Sequence, residues 1–250
     1  AVDCTAPSLK KPEMILFDYG QTLIAEETYN GLSGTEALMK YAVSNPHCYT
    51  AEDVNAEADR LNREIGRGDM KTRHLFQIEV PNRIFSAFLY GSMGIKLSLT
   101  ADEIDRIFWD AASPGAPTDG IEDFLDFLAR ESIRTGVISN ISYSGKVVSE
   151  RINRMLPRSR FEFIIATSEY TFRKPNRHIF DLAAEKAGTA PENIWYIGDS
   201  YECDVVGSKN AGMFPVYYSG ASANARRACP DETVLSVDSW AALQSILKSL

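Results

Sequence analysis

A chain of 250 residues can bury a sizeable core and still carry an inserted subdomain. Hydrophobic residues make up 44% and charged residues 24%, the balance of an ordinary globular protein. The net charge of −8, with Lys10-Lys11 and Arg226-Arg227 as isolated basic pairs, argues against nucleic-acid or membrane-surface partners. Cys4, Cys48, Cys203 and Cys229 form no C-x-x-C pair, so they read as free thiols in a reducing, cytoplasmic setting rather than a disulfide frame or zinc site. The N-terminus has no apolar signal-like stretch, and no run is long enough to span a bilayer.

The segment Ala1 to Glu13, with Pro7 and Pro12, reads as a lead-in. Met14 to Phe17 is an apolar run ending in a lone carboxylate, Asp18, and a tight polar turn follows. A strand buried on both faces has this form, and open α/β sheets bind ligands at such strand ends.

From about Ala25 to Ala112 the periodicity is helical, and an all-helical insert is expected. Thr35 to Val43 predicts one helix. Thr50 and Asp53 form a near capping box for another, running to about Ile65 and broken by Gly66 and Gly68. Thr72 to Leu89 predicts a third, with Pro81 at a kink or boundary. Thr100 and Glu103 cap a fourth, containing Ile104, Ile107, Phe108 and Trp109. Phe85, Phe88, Phe108 and Trp109 fall at helical spacing and read as the core of the insert.

Ser113 to Pro117 reads as a hinge. Beyond it helices and strands alternate: helix Ile121 to Arg130, strand Arg134 to Ser139, helix Ser144 to Met155, strand Phe161 to Ala166. Helix Pro175 to Ala187, strand Ile194 to Gly198, helix Cys203 to Ala211 and strand Pro215 to Tyr218 continue the pattern. A short strand, Thr233 to Val237, and a closing helix, Ser239 to Leu250, end it. This order predicts an α/β fold with a doubly wound, parallel, Rossmann-like sheet. The expected core is 1–24 plus 113–250, with the insert at 25–112.

Three strand ends carry chemistry. The first gives Asp18, the second Ser139-Asn140, and the third Asp199-Ser200, with Asp204 one helical turn on. Arg173-Lys174-Pro175 brings a lysine toward the same edge, with proline expected at the first helical position. Asp18 and Asp199 suit one hard cation such as Mg²⁺. Ser139 offers a hydroxyl, and Lys174 a fixed positive charge, to phosphate oxygens. Together these groups suit phosphoryl transfer through an aspartyl-phosphate.

These stretches resemble, in order, the four motifs of the haloacid dehalogenase (HAD) superfamily. Phe17-Asp18-Tyr19-Gly20-Gln21-Thr22-Leu23 resembles motif I, Val137-Ile138-Ser139-Asn140 motif II, and Arg173-Lys174-Pro175 motif III. Gly198-Asp199-Ser200-Tyr201-Glu202-Cys203-Asp204, with the residues to Gly212, resembles motif IV. The insert is similar to a helical cap of the C1 type. The resemblance implies a Mg²⁺-dependent hydrolase with Asp18 as nucleophile and Ser139 and Asn140 on the phosphate. Lys174 would neutralise charge, and Asp18, Asp199, Asp204 and the Gly20 carbonyl would serve the metal. A small phosphorylated metabolite is the implied substrate, with the protein a monomer or homodimer. Glu26, Glu27 and Arg173 are candidate substrate contacts.

Gly20 departs from the pattern, because phosphatases of this family carry their general acid and base there as a second aspartate. That leaves three readings. The first is a phosphatase whose leaving group needs little protonation, or which is helped by a bound water or by Glu26 or Glu27; some HAD phosphatases resemble this chain in having glycine there. The second is a dehalogenase or phosphonatase chemistry. That would call on Arg60, the first arginine after Asp18, or on a Schiff-base lysine among Lys40, Lys71 and Lys96. The third is a phosphate- or partner-binding protein with little turnover. The ordered motifs favour the first. Tyr19 is expected in the core by strand alternation. His47 and His74 read as surface, and His178 as the one histidine close to the site.

Overall fold

The computed structural model describes residues 9–67, 73–221 and 228–250. Cys4, Pro7, Gly68, Lys71, Thr72 and the Arg226-Arg227 pair lie outside them.

The core is one six-stranded sheet in the order β10-β9-β8-β1-β6-β7, with every pairing parallel. Its strands are β1 (Met14–Phe17), β6 (Arg134–Ser139), β7 (Ile164–Ala166), β8 (Ile194–Gly198), β9 (Phe214–Tyr218) and β10 (Leu235–Val237). β1 is central and every one of its side chains is buried, because helices cover both faces. Alternation divides them. Ile15 and Phe17 join Phe124, Leu128, Val148, Ile152 and Trp240 on one face, from α5 (Ile121–Arg130), α6 (Gly145–Met155) and α9 (Trp240–Lys248). Met14 and Leu16 join Ile179, Phe180 and Ala183 of α7 (Arg177–Ala187) on the other.

The register sets the site. Phe17 is level with Val137 of β6 and Ile197 of β8. One residue on comes Asp18, and two on come Ser139 and Asp199. The ligand edge of three adjacent strands therefore carries all three side chains.

The described residues of 25–112 include four α-helices: α1 (Gly31–Met39), α2 (Ala51–Glu64), α3 (Asn82–Ser92) and α4 (Ala101–Ala112). They pack around Leu38, Val54, Leu61, Leu89, Tyr90, Met93 and Ile95. Both capping boxes form, from Thr50–Asp53 and Thr100–Glu103, satisfying helix-end donors worth about 1 kcal/mol each.

Several boundaries differ from the sequence expectation. The segment is not all helix, since β3 (Ala42–Ser44) pairs antiparallel with β4 (Lys96–Leu97) and claims Val43 from the first predicted helix. Pro81 does not kink a long helix. It caps α3, and the residues before it form a 3₁₀ turn, Arg73–Leu75, then an extended stretch in which Ile78 bridges Phe172 of the core. The expected hinge is a strand: β5 (Gly115–Pro117) pairs antiparallel with β2 (Ile24–Glu26), so the two chain crossings form a ribbon. Pro175 is not the first helical residue; its peptide bond with Lys174 is cis, and Asn176 caps α7. The predicted helix at Cys203 begins earlier, as a π-helical turn, Tyr201–Val206, leading into α8 (Gly207–Asn210).

No helix among the described residues is long and apolar enough to cross a membrane. Cys48, Cys203 and Cys229 are free thiols.

Candidate active site

Lys174 is the hub. Its backbone is clamped by Asn140, whose Oδ1 accepts from the Lys174 N–H at 2.8 Å and whose Nδ2 donates to the Lys174 carbonyl at 2.9 Å. Its ammonium is buried and uses all three donors: to Asp18 Oδ1 at 2.7 Å, Asp204 Oδ1 at 2.6 Å and the Tyr196 hydroxyl at 2.6 Å. The Tyr196 hydroxyl in turn donates a hydrogen bond to the Ile138 carbonyl at 3.2 Å. An ammonium so fixed cannot swing away, so its charge stays beside Asp18.

Asp204 is equally fixed, since its second oxygen accepts from the Ser200 N–H at 3.0 Å. Its carboxylate fills the space in which a Cβ at residue 198 would stand, which requires glycine there. One oxygen each of Asp18, Asp199 and Asp204 lies within 4.8 Å of the others. That is three carboxylates against one ammonium in a largely dry place. Burial pushes the Asp18 carboxyl up to about 6, with Lys174 opposing and Asp204 adding to it. Burial, then the charges of Asp18 and Asp204, hold Asp199 well above the carboxylate range. Burial opposes the charge on Lys174, but Asp18 and Asp204 outweigh it and keep its pKa well above the ordinary value. The uncompensated negative charge and the all-oxygen donor set fit a hard divalent cation.

The expected site residues divide. Asp18, Ser139, Lys174, Asp199 and Asp204 come together at the sheet edge, with Gly20 in the turn directly after β1. The Asn140 side chain is turned toward Lys174, with its Oδ1 and its Nδ2 both engaged there. Arg173 is not a substrate contact. It is buried against Glu79 at 2.7 Å, and its N–H donates to the Gln77 carbonyl, so it belongs to the seam between insert and core. Glu27 is exposed on the crossing ribbon, and His178 is exposed against Phe172. Glu26 lies beside Gly20, with its carboxylate bonded to Trp109 Nε1 at 2.9 Å. Arg60 pairs with Glu57 and Glu64 on α2, and Lys40 and Lys96 are exposed.

Trp109 is not part of the insert's own core. It stacks on Tyr143 at 4.8 Å, lies 5.3 Å from Tyr19, and carries the Arg151 guanidinium over its ring at 4.3 Å. Phe88 is exposed. Tyr19 is buried as expected, with its hydroxyl accepting from Arg151 Nε at 2.9 Å. Tyr196 was missing from the sequence expectation. A signal existed: alternation along β8 puts it on the face that α7 covers, and Lys174 leads into α7.

Residues 95–217 match the family described as haloacid dehalogenase-like hydrolase. The chain is 26% identical over 205 residues to the pyrimidine 5'-nucleotidase YjjG of Escherichia coli (strain K12), covering 81% of this chain and 84% of that one. Among solved structures it superposes on a 2-haloacid dehalogenase from Pseudomonas syringae pv. Tomato DC3000 with a TM-score of 0.63 and 17% identity, covering 94% and 98% of the two chains. It also superposes on YfnB from Bacillus subtilis, a magnesium-bound protein, with a TM-score of 0.55 and 16% identity, covering 95% and 99%. The fold, the ordered strand-end residues and these matches agree in their likeness to the haloacid dehalogenase-like hydrolases.

Proposed function

We propose that this hydrolase is a Mg²⁺-dependent phosphatase acting on a small phosphorylated metabolite. The observation that carries the reading is the Lys174 ammonium held between Asp18 and Asp204, with Asp199 within 4.8 Å. A phosphoryl group brings negative charge that a lysine and a metal together can balance. The nucleotidase similarity over most of the chain supports the same class.

Asp18 is the nucleophile: its carboxylate oxygen attacks phosphorus and forms the aspartyl-phosphate. Lys174 offsets the charge where Asp18 and the phosphoryl group meet, and its three fixed hydrogen bonds keep it there at no reorganisation cost. Ser139, two residues past the register of Phe17, offers its hydroxyl to a phosphoryl oxygen. Asp204 and Tyr196 hold Lys174. Asp18 and Asp199 would hold Mg²⁺, which when bound supplies Lewis-acid charge stabilisation at the phosphoryl oxygens. The insert, fastened to the core through Asn82, Asp105 and Ser144, would roof the site and set the substrate. The expected setting is the cytoplasm, as a monomer or homodimer.

A panel of phosphorylated metabolites assayed with and without Mg²⁺ tests the reading. Release of phosphate from a subset of the panel, dependent on Mg²⁺, is the expected result. Tight binding with no turnover would replace the phosphatase with a binder.

A further inference from the structure

Gly20 leaves the turn after β1 without a proton-transfer side chain. The structure shows what stands in that space. A Cβ at residue 20 would meet one atom within 4 Å, Glu26 Oε2, at 3.5 Å. The space is otherwise open, and a carboxylate from β2 borders it.

Local geometry delivers Glu26 there. Gln21, at φ 56°, turns the chain; its N–H donates to the Ile24 carbonyl at 2.7 Å, and its side-chain amide donates to the Glu26 carbonyl at 2.8 Å. Glu26 then pairs with Gly115 of β5, where a side chain would crowd the Glu26 Cγ at 3.3 Å. One carboxylate oxygen is anchored: Oε1 accepts from Trp109 Nε1 at 2.9 Å and lies 3.6 Å from Arg151 Nη2. The other oxygen is the one beside Gly20. The side chain keeps 18% of its surface open to solvent, so a water or a leaving oxygen can reach it.

We propose that Glu26 is the general acid and base of this enzyme, acting from β2 in place of the side chain missing at Gly20. The inference rests on the phosphatase reading and names a residue for its proton transfers. In the first half-reaction Asp18 Oδ bonds to phosphorus, the bond from phosphorus to the leaving oxygen breaks, and the Glu26 carboxyl gives that oxygen its proton. In the second, the Glu26 carboxylate takes a proton from water as the water oxygen bonds to phosphorus. The Asp18–phosphorus bond breaks, releasing phosphate and restoring the protonated Glu26. Burial raises the Glu26 pKa, while the Trp109 hydrogen bond, the Arg151 charge and Tyr19 lower it; Asp110 in turn pairs with Arg151.

The test compares wild type, Asp18→Asn, Glu26→Gln and Glu26→Gln/Gly20→Asp on p-nitrophenyl phosphate and glycerol phosphate with Mg²⁺. Glutamine can still accept from Trp109, and an aspartate at residue 20 has room. Glu26→Gln should lose about 10²–10⁴-fold on the alkyl ester, whose leaving oxygen needs the proton. On the aryl ester it should give a full burst of nitrophenolate, then slow turnover as phosphoenzyme accumulates. The double variant should recover alkyl hydrolysis. Equal losses on both esters, with no burst and no recovery, would make Glu26 an anchor for Arg151 and Trp109 and overturn the proposal. So would wild-type behaviour of Glu26→Gln, and if Asp18→Asn is dead in that case the phosphatase reading survives. Activity retained in Asp18→Asn, or a wild type inert to both esters, ends the reading and the inference together.

Discussion

The sheet edge and the seam beneath the insert hold the same kind of object, a buried cation paired with carboxylates, and use it in opposite ways. At the edge, Lys174 bridges Asp18 and Asp204, one cation for two carboxylates, and leaves Asp199 without a cation of its own among the described side chains. At the seam, Arg173 meets Glu79, Thr167 Oγ1 donates to the same Glu79 oxygen at 2.9 Å, and Arg67 stands 3.9 Å from the other. The first cluster has spare negative charge, which attracts a ligand. The second has no spare negative charge, because Glu79 faces two guanidinium groups, and it fastens two parts of the chain. Excess negative charge, rather than burial or residue type, separates the cluster that can take a cation from the one that cannot.

Asp18→Asn is the largest expected effect. It should cut Mg²⁺-dependent hydrolysis by on the order of 10⁴-fold or more while the protein still folds. Steady-state kinetics beside thermal melts check both halves, and activity near wild type would remove Asp18 as nucleophile. Glu79→Ala should do the reverse. Leaving Arg173 buried without its carboxylate costs roughly 3–5 kcal/mol. Denaturant titration should show that loss, with kcat on an aryl phosphate kept within about tenfold for the folded fraction. A collapse of kcat at unchanged stability would return Arg173 to the substrate.

These two clusters also differ in how far the sequence revealed them. Asp18 and Asp199 were legible because a strand buried on both faces reads as an unbroken apolar run, so the first carboxylate after it stands out. Lys174 was legible through its neighbours Arg173 and Pro175. The seam was not, because Glu79 and Arg173 lie 94 residues apart and each alone looks like a surface charge. Tyr196 was hidden for a related reason: a tyrosine inside a buried strand is ordinary core. The boundaries in the insert failed where tertiary pairing outvoted helical periodicity, as with Val43 in β3 and Ile78 against Phe172.

Metal binding tests the charge imbalance itself. The Asp18 carboxyl is raised from an ordinary 3.8 to about 6, so the folded protein binds more protons than the unfolded chain across that window. Stability of the metal-free protein should therefore fall as pH rises from about 4 to 6 through this group. Mg²⁺ binds the ionised form and should restore more at pH 7.5 than at pH 5. At a hundredfold excess over Kd the gain is about 2.7 kcal/mol. For a chain of this size, each kcal/mol is worth roughly 2–4 °C in Tm. Melts with Mg²⁺ and with EDTA at the two pH values measure it, and an equal Mg²⁺ shift at both would mean the cation does not compete with the Asp18 proton. Tyr196→Phe should have a smaller effect, since Lys174 keeps two of its three acceptors. The lost hydrogen bonds cost about 1–2 kcal/mol by denaturant titration, and no loss would mean the hydroxyl is not part of the lysine's support.

The smallest effect is expected at Phe88 of α3, next in sequence to the buried Leu89. Helical spacing assigned Phe88 to the core of the insert, but it is 59% exposed, whereas Leu89 is buried at 5% among Leu38, Val54 and Leu61. A helix turns about 100° per residue, so neighbours in sequence can face water and core. Leu89→Ala should cost about 2–5 kcal/mol through lost burial and the cavity left behind. Phe88→Ser should stay within about 0.5 kcal/mol, the range for surface changes that break no specific contact. Leu75, Ile78 and Ile84 are exposed in the same part of the insert. A loss of several kcal/mol for Phe88→Ser would therefore mean that something covers this apolar surface in solution. The insert would then be a binding element as well as a roof, and the contrast with the sheet edge would narrow to the kind of ligand each region holds.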